Sequence, residues 1–215
     1  MKRKAPTSQI VTGDMLVCQG RGIVSGVISG WTMMRSAVSG WGQPWVSHTA
    51  CVVDQPFPGI HAAHAGLIVY ESTTLNHLPD LVDGQYRQGV QAHAYETWLA
   101  AYPGRVWHVP LMVSIDASEY IGYLEWKHNC QIGYDKRGAI ASATWFGRLM
   151  GWHRPKQRII EDTETDAPIY CTALYLYGLR RGGVLPANIE PRHEYPRSVL
   201  RLPIFGEPRL VKPSE

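Results

Sequence analysis

The sequence predicts one α+β domain, and three observations carry that prediction. Residues 46–54 and 67–73 are nearly all apolar and flank the turn chemistry of Gln55-Pro56-Phe57-Pro58-Gly59, which reads as an antiparallel hairpin. Because the apolar positions are successive rather than alternating, both strands are expected to be central and covered on both faces. Helical segments at 117–129, 139–150 and 171–181 follow the strands, and 215 residues with 45% hydrophobic content suffice for a core without staples.

Taken in order, a loose tail over residues 1–12 leads to Gly13-Asp14, and the apolar run Met15-Leu16-Val17-Cys18, ended by Gly20, reads as the first strand. Residues 23–39 carry Ile23, Val27, Trp31, Met34 and Val38 at spacings of three or four, which predicts a helix with one apolar stripe. After the hairpin, residues 95–101 read as a short helix, and Tyr102-Pro103-Gly104 introduces a strand over 106–113. Gly133-Tyr134-Asp135 separates the helices 117–129 and 139–150, and the charged, aperiodic stretch 152–166 reads as an exposed loop. The segment from Cys171 to Arg181 is apolar almost all round, so a buried helix is expected; Arg180 and Arg181 fill its last turn and Gly182-Gly183 stops it. The proline-rich remainder is expected to wrap a finished core. The domain then spans 13–205, with a C-terminal tail over 206–215.

Composition narrows the function. A net charge of +3 is spread along the chain, with only Lys2-Arg3-Lys4 forming a basic run, so no nucleic-acid partner is expected. Cys18, Cys51, Cys130 and Cys171 lie too far apart for a zinc or redox motif, and no disulfide framework is expected. The polar Pro6 to Gln9 stands where a secretion signal would be apolar, which predicts synthesis in the cytoplasm without export by that route. The longest apolar stretch, 23–38, is broken by Gly26, Ser29, Gly30 and Arg35, so no membrane span is expected, although its stripe leaves peripheral lipid contact open. His61 and His64 have helical metal-ligand spacing but no Asp, Glu or Cys beside them; neither a metal nor any other cofactor is expected.

Chemistry enters through three residues. A hairpin centred between Gly59 and Ile60 sets His48 opposite Glu71, and opposed side chains with Cβ atoms about 4.5–5.5 Å apart can share a hydrogen bond. Such a bond fixes the imidazole tautomer and raises the basicity of the other nitrogen. Cys171 opens a helix, where unpaired amides and the helix dipole favour a thiolate and could hold an oxyanion. On the residues alone, packing is the default use of a lone cysteine, and a structural hydrogen bond explains a strand histidine beside a glutamate equally well. Asp14 reads as a turn or cap residue with a minor alternative role in binding a substrate amine, and Tyr170 stands beside the cysteine as a second candidate substrate contact. The eight tryptophans read mainly as packing groups.

The strings Gly13-Asp14-Met-Leu, Ser47-His48-Thr-Ala-Cys-Val-Val, Val69-Tyr70-Glu71-Ser72 and Tyr170-Cys171-Thr-Ala-Leu, in that order, resemble the circularly permuted, papain-like NlpC superfamily of cysteine amidases and peptidases, close to its YiiX-like branch. Gly133-Tyr134-Asp135 and Gly182-Gly183-Val-Leu-Pro186 are similar to further family features, and the resemblance covers roughly residues 13–205. It implies a permuted papain-like fold, a central antiparallel sheet with the nucleophile-bearing helix packed against it. It also implies Cys171 as nucleophile, His48 as general base and Glu71 as its orienter. The family's usual glycine soon after the histidine is replaced by Ala50-Cys51, and segment 23–38 is unusually apolar; both bear on the substrate pocket. The implied substrate is an amide in bacterial cell-wall peptides, reached by lysis, a dedicated exporter or a phage particle. A lipid or N-acyl substrate on the same fold, and a non-catalytic binding or assembly module, stand as alternatives.

Overall fold

The computed structural model describes residues 9–20, 46–54, 66–143 and 167–213. The helix expected over 23–39, the turn 55–59, His61 and His64, the loop 152–166 and the end of the helix 139–150 lie outside the described residues.

The described chain is α+β. Six strands, β1 (Met15–Gln19), β2 (His48–Val53), β3 (Ile68–Thr73), β4 (Gly89–Ala94), β5 (Arg105–Val109) and β6 (Arg209–Lys212), form one sheet in the order β4-β3-β2-β1-β5-β6. Every pairing in it is antiparallel. Five helices accompany it: α1 (Tyr95–Ala101), α2 (Ala117–Asn129), α3 (Lys136–Ala143), α4 (Cys171–Arg181) and α5 (Pro196–Val199), with a 3-10 turn at Pro191–His193.

The two faces of the sheet have separate cores, which is why the strands are apolar at successive positions. Met15, Val17, Cys51, Val53, Ile68 and Tyr70 pack with α2 and α4. Leu16, Cys18, Ala50, Val52 and Val69 pack with Tyr95, Trp98 and Tyr102 of α1 and the turn after it. Helix α4 is buried from Cys171 through Leu179, as its all-round apolar sequence predicts.

Several boundaries depart from the expectations. Strand β5 ends at Val109 rather than 113 because Pro110 has no N–H to offer the ladder. Residues 209–212, expected within the C-terminal tail, pair with β5 as β6. Strand β4 has no counterpart in the sequence reading: Gly-Val-Gln-Ala-His-Ala lacks the β-branched density that marks a strand, yet it is buried. Its first residue, Gly89, has φ +112°, and a Cβ there would lie 2.2 Å from the Ile132 carbonyl oxygen, so only glycine fits.

The hairpin register also differs. Cys51 faces Tyr70, Val52 faces Val69 and Val53 faces Ile68; continued along the strands, this sets Ala50, not His48, opposite Glu71. The connection is too long for a tight turn to dictate register, and the two-residue shift preserves which side chains share a face. His48 and Glu71 are therefore diagonal neighbours on one side of the sheet.

Candidate active site

Cys171 is the first residue of α4, and the chain leading into it is pinned from several sides. Tyr134 forms a parallel bridge with Ile169, in which Ile169 N–H donates to the Gly133 carbonyl (3.0 Å) and Asp135 N–H to the Ile169 carbonyl (3.2 Å). From β3, the Ser72 hydroxyl donates to the same Ile169 carbonyl (2.6 Å). Tyr170 is the N-cap residue, and its side chain makes no capping hydrogen bond. Its hydroxyl instead reaches the carbonyls of Pro191 (3.1 Å) and Glu194 (3.0 Å), anchoring the helix start on the 3-10 turn. The first amides of α4 have no carbonyl one turn earlier to receive them.

His48 is the first residue of β2. Its Nε2 lies 2.6 Å from Glu71 Oε2, and the ring stacks on Tyr102 with centroids 6.3 Å apart and planes 16° from parallel. Glu71 is fully buried, and its other oxygen, Oε1, accepts a hydrogen bond from Trp98 Nε1–H at 3.0 Å. With Nε2 occupied by the carboxylate, Nδ1 is the ring nitrogen that Glu71 leaves free, and His48 and Cys171 act on each other's protonation.

The electrostatics form an alternating series. Burial by itself would raise the Cys171 pKa, but the His48 charge and hydrogen bond, with the Thr49 backbone N–H and hydroxyl, outweigh it and hold the thiol below its ordinary 9.0. Burial also opposes the imidazolium, yet Cys171 first and Glu71 second push His48 from 6.5 up to about 10. Glu71 is held below its ordinary value against burial by His48, by the charge of His93 and by Trp98. Thiolate, imidazolium and carboxylate thus support one another in a site where all three side chains are buried. The other buried thiols behave oppositely: burial pushes Cys18 and Cys51 up.

Asp14 lies elsewhere in the hydrogen-bond network. Its Oδ2 takes His108 Nε2 (2.6 Å) and the Val11 amide (3.1 Å), and Oδ1 takes the Leu111 amide (2.8 Å). These contacts tie the start of β1 to the end of β5. Tyr170 is likewise engaged through its hydroxyl in holding α4.

Four side chains around the site escaped the sequence reading. In the sequence Trp98 reads as one of the packing tryptophans, and nothing in its neighbourhood signals an indole aimed at a carboxylate. Tyr102 looked like part of a turn. Thr49 stood inside the Ser47-His48-Thr49 string, and its hydroxyl also reaches Thr172 Oγ1 at 3.4 Å; a polar residue beside a strand histidine was the available signal. His93 belongs to the strand that propensity did not reveal, with its Nε2 3.8 Å from Glu71 Oε1. Among the described residues no helix is long and apolar enough to cross a membrane, and no group of three or more metal-ligating side chains occurs.

No family model matches the chain, and no curated protein matches it.

Proposed function

We propose that the protein is a cysteine-dependent amidase or peptidase acting through a thiol acyl-enzyme on a permuted papain-like fold. The observation that carries this reading is the buried pair in which Glu71 holds His48 Nε2 at 2.6 Å, with the Cys171 thiol held below its ordinary value against burial chiefly by the charge of that same His48. A structural histidine–glutamate pair would not need a cysteine at a helix start beside it.

In this mechanism the Cys171 thiolate attacks the carbonyl carbon of an amide, and the oxygen takes up negative charge against the first amides of α4. The C–N bond breaks as His48 gives its proton to the departing amine. Neutral His48 then takes a proton from water, hydroxide attacks the thioester, and the acid leaves as the thiolate is restored. Glu71 keeps the ring oriented and stabilises the imidazolium, and Trp98 fixes Glu71.

The substrate class follows from the resemblance of the four motifs: an amide in bacterial cell-wall peptides. Trapping tests it. Incubating the protein with wall-peptide fragments, acid quenching and weighing the Cys171 peptide by mass spectrometry should show the mass of the acyl fragment. Cys171→Ser, nearly isosteric, should fold with an unchanged melting temperature and lose turnover. Full biological function in a Cys171→Ser strain, with no adduct on wild-type Cys171 from any amide or ester, would overturn the enzymatic reading. An adduct formed only from N-acyl lipids would retain the mechanism and replace the substrate.

A further inference from the structure

Behind Glu71, away from the thiol, lies a second buried imidazole. His93 on β4 is 2% exposed, and both of its ring nitrogens face oxygen acceptors: Nε2 lies 3.0 Å from Gln91 Oε1 and Nδ1 lies 3.2 Å from the Pro79 carbonyl. Nε2 is also 3.8 Å from Glu71 Oε1.

The identity of the Gln91 atoms is fixed by the chain itself. One atom of that amide approaches two carbonyls, those of Leu75 (2.9 Å) and Arg87, and only an NH2 can donate to both. The other atom is then the oxygen, and it faces His93. A neutral imidazole carries one N–H. It would leave the remaining nitrogen's lone pair against either the Gln91 oxygen or the Pro79 oxygen, in a site where a buried polar group needs a partner.

We propose that His93 is a positioning residue, a doubly protonated imidazolium that pairs with Glu71 from the side opposite His48 and keeps Glu71 ionised and oriented. This rests on the function proposed above, since it assigns Glu71 the task of holding His48. The groups that bear on His93 come from several elements. Glu71 on β3 and Asp80 in the β3–β4 connection favour the cation, as does the Pro79 carbonyl. His77 in the same connection opposes it, and burial opposes it most, so these influences alone carry the His93 pKa below 6.5. Against these influences stands the fixed geometry: the neutral ring gains its burial advantage only by setting a lone pair against the Gln91 oxygen or the Pro79 carbonyl. The series of charges then runs Cys171, His48, Glu71, His93 with alternating sign, and each ion has an opposite charge beside it.

The test has two readouts. In protein labelled with nitrogen-15 at histidine, long-range proton–nitrogen correlation spectra at pH 7 should show the His93 ring with protons on both nitrogens, its signals identified by their loss in His93→Gln. A ring with one protonated and one bare nitrogen overturns the proposal, and this measurement needs only the wild-type fold and no activity. In folded His93→Gln, the acid limb of the Cys171 alkylation rate should move toward alkaline pH by about one unit, because a nearby opposite charge has been removed from the series. A limb that stays in place overturns the positioning role, since a merely structural residue would alter the melting temperature and leave the profile alone. Failure of the function proposed above has a different signature: wild-type Cys171 that alkylates no faster than the exposed Cys130, while the His93 spectrum still reports its charge.

Discussion

Replacing Glu71 by glutamine changes one atom, and the structure dictates which way the new side chain must turn. Oε1 receives Trp98 Nε1–H at 3.0 Å, and an indole N–H can only donate. The amide oxygen of the glutamine must therefore take that position, which leaves its NH2 facing His48 Nε2 at the place where Oε2 stood 2.6 Å away. Two donors cannot share that contact. Nε2 has to become an acceptor, the ring proton moves to Nδ1, and His48 faces the thiol with an N–H it cannot use as a base. The imidazolium, which needs a proton on both nitrogens, is excluded.

The loss is that of a hydrogen bond between charged groups, worth about 1.5–3 kcal/mol, which at about 1.4 kcal/mol per factor of ten corresponds to about 10–10² in rate. The assay is the rate of Cys171 alkylation by iodoacetamide at pH 7, read by peptide mapping, alongside a thermal melt that verifies folding. The double variant Glu71→Gln/Trp98→Phe supplies the decisive comparison: without the indole N–H the glutamine can turn its oxygen to His48, so part of the lost rate should return even though the core has been damaged further. A Glu71→Gln rate within threefold of wild type, or a double variant slower than the single one, would refute the reasoning.

Two further outcomes follow from the charges. Alkylation of Cys171 should rise through a limb that lies below the ordinary 9.0, while turnover should fall again near pH 10 as His48 loses the proton it must give to the leaving amine; a single limb shared with exposed Cys130 would contradict this. Buried Asp80, which accepts from the Ala92 and Val82 amides and from His128, all at 2.9 Å, is held below its ordinary 3.8, chiefly by the His128 hydrogen bond working against burial. Its stabilisation is present above pH 3.8 and disappears as pH falls through the lower folded value. Asp80→Asn should therefore cost about 1–3 kcal/mol at pH 7, and a melting-temperature gap from wild type that fails to shrink on acidification would refute the assignment.

What the sequence made legible, and what it hid, divides along a physical line. Helices α2 and α4 were readable to the residue because their ends are local events: Asp116 caps α2 by accepting from Ser118 and Glu119, and Gly182 follows the last turn of α4. The proximity of His48 and Glu71 was readable for a subtler reason. The pairing inferred from the turn was off by two positions, yet side-chain direction alternates with period two, so an even error leaves both residues on one face and within reach through a diagonal contact. An odd error would have separated them. Strand β4 was hidden because its burial is created by partners distant in sequence: Leu81 N–H donates to Ala92 O, Val90 N–H to Ile132 O, and the Asp80 carboxylate accepts from Ala92 N–H. No local propensity encodes such contacts. The same strand carries Gln91 and His93, so the part of the site behind Glu71 stayed hidden with it. The residues that present chemistry were legible from local sequence, whereas those that hold Glu71 in place, Trp98 and His93, become visible only once the strands and α1 have been packed.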